Sequence, residues 1–307
     1  MAEVMTVMGP IDEAALGVTL PHEHIFINLM SEYKGEGFLG DRSLAELELS
    51  AFAQSGGKTI VDCTSADLDR DPQALRDMSQ RTGLNIVMGC GYYRDPYVDT
   101  RHVDRHSIEE LAAELVREIR DGVGNTGIRP GVIGEVGSNR RWISAVEERV
   151  LRVAARAHLA TGLPIMTHAA RWPLGIPQLD ILAAEGVDPQ YVIVGHCDMV
   201  PSVAYHEAIA RRGAFVEFDT IRGESEHATE TRVDYVMRLI RTGFIDRILL
   251  SHDVCLTSLY QANGGRGYAF ILREFMPRLQ AAGLTEAEVE VLLVDNPRRA
   301  LVAGAWR

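Results

Sequence analysis

Eight short apolar runs recur along the 307-residue chain, spaced widely enough for a helix between neighbours. They are GVTLPHEH (17–24), KTIVDCT (58–64), NIVMGCG (85–91), GVIGEVG (131–137), LPIMTH (163–168), YVIVGH (191–196), AFVEFD (214–219) and RILLSH (247–252). Their near-continuous Val, Ile and Leu content suits strands buried on both faces of a parallel sheet. The intervals carry helical spacing. In SIEELAAELVREIRD, Ser107 and Glu110 make a capping box, and Ile108, Leu111, Leu115 and Ile119 recur three and four residues apart. AVEERVLRVAARAHLA repeats the pattern before the fifth run. Thr285 and Glu288 form a further capping box, and Pro297 is expected to open a final short helix. Eight strands with helical intervals is the count of an α/β fold, the (β/α)8 TIM barrel, as one domain over 1–307. A doubly wound sheet is disfavoured, because no Gly-rich phosphate-binding turn follows the first run.

Composition narrows the function. A net charge of −12 argues against a nucleic-acid partner, which is met with concentrated positive charge. Cys63, Cys90, Cys197 and Cys255 are scattered and form no CxxC pair, which suits a reduced, cytoplasmic chain. The start, MAEVMTVMGPID, lacks the basic and apolar regions of a signal peptide. No apolar stretch reaches the ~20 residues that span a bilayer, so no membrane partner is expected.

Catalytic residues of barrel enzymes sit where strands end in loops. Here the first run ends in His22 and His24, the fourth supplies Glu135, the fifth ends in His168, the sixth in His196, and Asp253 follows the eighth. His22 and His24 share a face because strand side chains alternate, so Glu23 points away and is not counted as a ligand. Taken singly, each imidazole is an ordinary hydrogen-bonded residue, and His102, His106, His158, His206 and His227, in helices or loops, are read that way. Six metal-type side chains all at strand ends are harder to explain by packing, since buried groups of this kind must be paired or coordinated. Four imidazoles and two carboxylates suit two divalent first-row ions if one carboxylate is shared, and Glu135 is placed to share.

These motifs together resemble the phosphotriesterase family of the amidohydrolase superfamily. The matching pieces are TLPHEH, GYYRDP (91–96), GVIGEVG, MTHAA (166–170), VGHCD (194–198), LLSHD (249–253), GGRGY (264–268) and DNPRRAL (295–301). The resemblance implies a (β/α)8 barrel with a binuclear, usually zinc, centre. His22, His24 and Asp253 would hold the more buried ion and His168 and His196 the more exposed one. Many members bridge the ions with a carboxylated lysine; the matching position here is Glu135, as in the phosphotriesterase-related branch. Neither lysine can replace it, because Lys34 lies in a loop and Lys58 starts a strand. Histidine and carboxylate ligands would also accept Mn, Co or Fe. A homodimer is implied as well.

The expected chemistry is hydrolysis by a hydroxide shared between the ions, with Asp253 taking the proton and passing it to the leaving group. Asp198, two residues past His196, is either a partner behind that ligand or a loop cap. The loops after the strands would choose a small-molecule substrate. Tyr92, Tyr93, Arg94, Arg171, Trp172, Arg222, Arg266 and Tyr268 fall there, and guanidinium groups beside aromatic walls suit an anionic substrate. A lactone or carboxylic ester is the first expectation, because it asks least of a metal hydroxide; an N-acyl amide or a phosphotriester is the alternative. Ser251, His252 and Asp253 are consecutive and cannot form a triad, and no GxSxG elbow occurs. No strand ends in a lysine for a Schiff base. The rival of another class is a receptor or scaffold that keeps its metals for stability.

Overall fold

In the computed structural model, which describes residues 2–138 and 140–302, each of the eight apolar runs forms a strand. These are β1 (Thr19–Glu23), β2 (Thr59–Asp62), β3 (Asn85–Cys90), β4 (Val132–Ser138), β5 (Ile165–Ala169), β6 (Val192–Gly195), β7 (Phe215–Phe218) and β8 (Ile248–Leu250). They lie side by side in chain order, and every ladder is parallel. Helices in the intervals cover the outside, completing a (β/α)8 TIM barrel.

Local sequence explains where helices begin. The Ser107–Glu110 and Thr285–Glu288 capping boxes are both formed, and Ser144 with Glu147 makes a third ahead of helix Ala145–Thr161. Pro297 is the second residue of the final short helix, Asn296–Val302, as expected. Helix Glu286–Glu290 runs on through a wide turn over Val291–Asp295, where Asn296 N–H reaches the Val291 carbonyl, into Asn296–Val302. The final helix therefore continues from the one before it, with the proline in its first turn.

Two apolar layers hold the barrel. The larger lies between strands and helices. The smaller gathers Val61, Val87, Val132, Met166, Ile193, Phe215 and Leu249, one from each of β2–β8, with Val4, Leu16 and Leu301. One inward residue per strand is how a small barrel fills its interior. The antiparallel pair Glu3–Thr6 and Gly9–Asp12 meets the strands near their N-terminal ends, where Val7 N–H donates to the Ile86 carbonyl (2.9 Å). That end is thereby plugged, leaving the C-terminal end for chemistry.

No ladder joins β8 to β1. Loop hydrogen bonds close the gap instead: His22 N–H donates to Ser251 Oγ (3.1 Å) and Asp253 N–H to the His22 carbonyl (3.2 Å). Glu23, fully buried, adds a clamp. Its Oε1 accepts from Ser251 Oγ, His252 N and His252 Nδ1, and its Oε2 from Val254 N, all at 2.8 Å. His252 Nε2 then accepts from Ile271 N (3.0 Å), tying the clamp to the following helix. Among the described residues, no helix is long and apolar enough to cross a membrane.

Candidate metal centre

Six side chains from five strand ends converge at the open end of the barrel, all of them buried. Glu135 is central. Its Oε1 lies 3.6 Å from His24 Nε2, while Oε2 lies 3.5 Å from His22 Nε2, 3.3 Å from His196 Nε2 and 2.9 Å from His168 Nδ1. His168 Nδ1 and His196 Nε2 stand 2.8 Å apart. Asp253 Oδ1 lies 3.3 Å from His24 Nε2, and its Oδ2 is held by Arg222. Glycines make this approach possible: a Cβ on Gly137 would stand 2.2 Å from His168 Cβ, and one on Gly195 would stand 2.6 Å from the Thr167 carbonyl oxygen.

Behind these groups stands a second set of carboxylates that the strand-end reading missed. Asp219 Oδ1 pairs with His196 Nδ1 at 2.8 Å, and its Oδ2 with His22 Nδ1 at 3.0 Å. Glu217 Oε2 also lies 3.0 Å from His22 Nδ1, and Thr64 Oγ1 lies 2.9 Å from His24 Nδ1. The signal was present in AFVEFD: two carboxylates two residues apart at a strand end, the same pattern as His22 and His24. Asp198 takes the cap role of its two expected roles. It accepts from Thr220 N (3.1 Å), Thr220 Oγ1 (2.5 Å) and Arg232 Nε (2.8 Å), while Asp219 pairs with His196.

Charge is concentrated here. Burial opposes protonation of His24 and His196, yet Asp253 and Glu135 push the first up to about 9, and Asp219 and Glu135 push the second up to about 10. Burial takes His168 down to about 4, with the neighbouring His196 charge adding to it against the pull of Glu135. Glu135 is drawn well below the usual carboxylate range despite burial, chiefly by His168. Burial lifts Asp253 too, but Arg222 and His24 hold it below that range.

A cavity of about 230 Å³ opens over the cluster. Of the expected substrate contacts, Tyr93, Arg171 and Arg222 line it, and Arg94 does as well. Tyr93 Oη sits 3.2 Å from His168 Nδ1. Arg94 is buried, paired with Glu32 at 2.7 Å and stacked over Tyr93 and Tyr97. Arg222 donates to the His252 carbonyl (2.8 Å) as well as to Asp253. Arg171 is exposed at the rim and has no ion pair among the described residues.

Two expected contacts lie elsewhere. Tyr92 turns outward and donates to Glu114 (3.4 Å), because the chain after β3 presents Tyr93 to the mouth instead. Arg266 reaches Glu274 (3.1 Å) in a separate surface groove. Tyr268 is buried and donates to the His24 carbonyl (2.7 Å), and Trp172 packs under Arg141. The remaining histidines for which bonds are resolved serve structure: His158 donates to the Leu163 carbonyl, His206 to that of Cys197, His106 to that of His102, and His102 pairs with Glu114.

The cluster fits divalent cations. His22 Nε2 is buried, has no hydrogen-bond partner and faces Glu135. The 3.3–3.6 Å gaps from the Nε2 atoms of His22, His24 and His196 to carboxylate oxygens exceed an ordinary N–H···O bond. They match the roughly 3.3 Å edge of a tetrahedron whose ligands stand ~2.0–2.2 Å from one ion. His22, His24 and Glu135 form one candidate ligand group, and Glu135, His168 and His196 another. A third grouping, His22, His196 and Asp219, meets on the Nδ1 side of rings whose Nε2 atoms face Glu135, so Asp219 stands behind these two imidazoles.

Comparison with known proteins agrees with this construction. The phosphotriesterase family model matches residues 2–301. The phosphotriesterase homology protein of Escherichia coli is 36% identical over 283 residues, covering 92% of this chain and 96% of that one. A crystal structure of that name, with phosphate in its active site, superposes with a TM-score of 0.90, covering 95% of this chain and all of that one at 35% identity. The lactonase Lmo2620 of Listeria monocytogenes has a TM-score of 0.91 at 27% identity, each chain fully covered. An N-acetyltaurine hydrolase of Dictyostelium discoideum is 28% identical, with 98% of each chain covered. With the whole barrel and its strand-end cluster accounted for, the chain belongs to the phosphotriesterase family of the amidohydrolase superfamily.

Proposed function

We propose that the protein is a hydrolase using two divalent ions, zinc first among them, to cleave a lactone or carboxylic ester. The observation that carries this reading is Glu135 reaching the ring nitrogens of four buried histidines from both of its oxygens. His22, His24 and Asp253 would hold one ion, His168 and His196 the other, and Glu135 both. Bound ions would supply Lewis acidity toward the scissile carbonyl and a lowered pKa for water.

The chain's own groups do the rest. Asp253 is a carboxylate at neutral pH, with Oδ2 fixed by Arg222 and Oδ1 turned to His24. It is therefore placed to accept the proton of attacking water at Oδ1 and return it to the leaving oxygen or nitrogen. Ile27, Leu29 and Leu256 form an apolar wall that limits water around the reacting bond. The Arg171 guanidinium at the rim would take an anionic group remote from that bond.

A second reading, cleavage of an N-acyl amide with an anionic tail, is favoured by Arg171, which has no ion pair among the described residues, and by the likeness to N-acetyltaurine hydrolases. Elemental analysis followed by a panel of aryl esters, lactones and N-acyl amino acids, with and without chelator, separates these outcomes. Ester or lactone turnover that chelation abolishes and added metal restores supports the first reading. Turnover confined to amides supports the second. Metal-replete protein inert to all of them would leave a receptor or scaffold.

A further inference from the structure

Outside the six expected ligands, one buried carboxylate touches ligands of both proposed ions. Asp219 is fully buried at the end of β7. Its Oδ1 meets His196 Nδ1 at 2.8 Å, while its Oδ2 meets His22 Nδ1 at 3.0 Å and accepts the His196 backbone N–H at 2.8 Å. Three contacts thus come from two strand ends, β1 and β6, assigned to different ions. Gly195 keeps the passage open, since a Cβ there would lie 3.2 Å from Asp219 Oδ2 and 3.5 Å from His22 Cε1. Glu217, two residues earlier on the same strand, reaches only His22, at 3.0 Å, and its Oε1 has no partner.

We infer that Asp219 is a positioning residue common to both metal subsites: one carboxylate fixes the tautomer and ring angle of a ligand to each ion. An imidazole that donates Nδ1–H to a carboxylate presents Nε2 as the lone-pair donor and becomes more basic there, and loss of such a partner typically lowers metal affinity 10–100-fold. Because the two Nδ1 contacts use different oxygens of one side chain, removing its charge should weaken both ions together. Glu217 shares His22 Nδ1 with Asp219 and has no contact with His196 among the described residues, so its removal should weaken one ion only.

This inference rests on the two-ion reading above, and the test keeps the two apart. The full chain is stripped with chelator and titrated with Zn²⁺ against a chromophoric competitor. Wild-type protein that fails to take up two ions refutes the two-ion reading itself. Given two ions in the wild type, Asp219→Asn should weaken both binding steps about 10–100-fold, and Glu217→Gln only one. Unchanged affinities in Asp219→Asn, or loss of a single ion with the other unaffected, would overturn the inference; the latter would make Asp219 a ligand. Should that variant not fold, imidazole ¹⁵N–¹H spectra of zinc-loaded wild type decide. His22 and His196 should both show carboxylate-bonded Nδ1 protons, and absence of either defeats the proposal.

Discussion

The clamp at Glu23 gives a stability prediction whose size follows from its geometry. Four donors converge on one buried carboxylate at 2.8 Å, across the one junction of the barrel that has no strand ladder. In Glu23→Gln, the best amide orientation keeps an oxygen toward Ser251 and His252 and turns the NH2 against Val254 N–H. One charge-assisted bond is lost, two donors then face each other, and the remaining three bonds weaken, a cost of about 3 kcal/mol. With ~2.1 cal/mol/K of unfolding entropy per residue, 307 residues give a Tm about 5 °C lower. The assay is thermal unfolding of chelator-treated full-length protein at matched scan rate, so that metal uptake does not enter. A shift within about 1 °C would refute the clamp as a fastening of the β1–β8 junction.

Three smaller tests bear on the site. In the ion-free protein His24 and His196, with pKa pushed up to about 9 and about 10, and His22, also raised well above the usual imidazole value, hold protons at pH 7.5 that ligation must displace. Zinc uptake should therefore release about three protons, read by calorimetry in buffers of different ionisation enthalpy; release near zero would contradict the assignment. The stabilisation those raised pKa values give the ion-free protein is complete below about 6.5 and is lost as pH rises through 9–10, while metal affinity strengthens over the same range. Arg171→Ala should raise KM about tenfold for an anionic substrate and leave a neutral one unchanged; equal effects on both would remove Arg171 from anion recognition. Gly137→Ala puts a Cβ 2.2 Å from His168 Cβ, so it should cost about 1–3 kcal/mol and weaken uptake of at least one ion; wild-type metal content and Tm would refute that.

The barrel and the six-residue cluster were legible because both are written in strand ends. Apolar runs set the strands, and a polar residue closing such a run stands at the barrel mouth. What stayed hidden depends on contacts between strands remote in sequence. Glu23 is 228 and 229 residues from Ser251 and His252, so spacing could show that it left the ligand face but not what it grips. Asp219 and Asp198 are both acids near His196. Only the fold shows that Asp219 turns inward to the imidazole, whereas Asp198 turns to Thr220 and Arg232. Tyr92 and Tyr93 likewise differ by one position and point opposite ways.

Two of the carboxylates behind this site also hold strained backbone. Arg171, His196 and Asp253 all adopt left-handed conformations, with φ of 68°, 58° and 52°, at a cost of roughly 1–3 kcal/mol each for residues with a Cβ. At His196 the backbone N–H is gripped by Asp219 (2.8 Å), and at Asp253 the flanking amides of His252 and Val254 are gripped by Glu23. Those buried acids therefore offset strain as well as orient side chains. Arg171 has no such support, only the tight turn from Trp172 N–H to the Ala170 carbonyl (2.8 Å). Glycine relieves the strain there and alanine does not, so Arg171→Gly should melt above Arg171→Ala by about 1.5 °C, equivalent to ~1 kcal/mol. Both variants should lose preference for an anionic substrate equally. If alanine proves the more stable, the rim is not held under strain, and the left-handed turn at Arg171 is a relaxed feature of the loop.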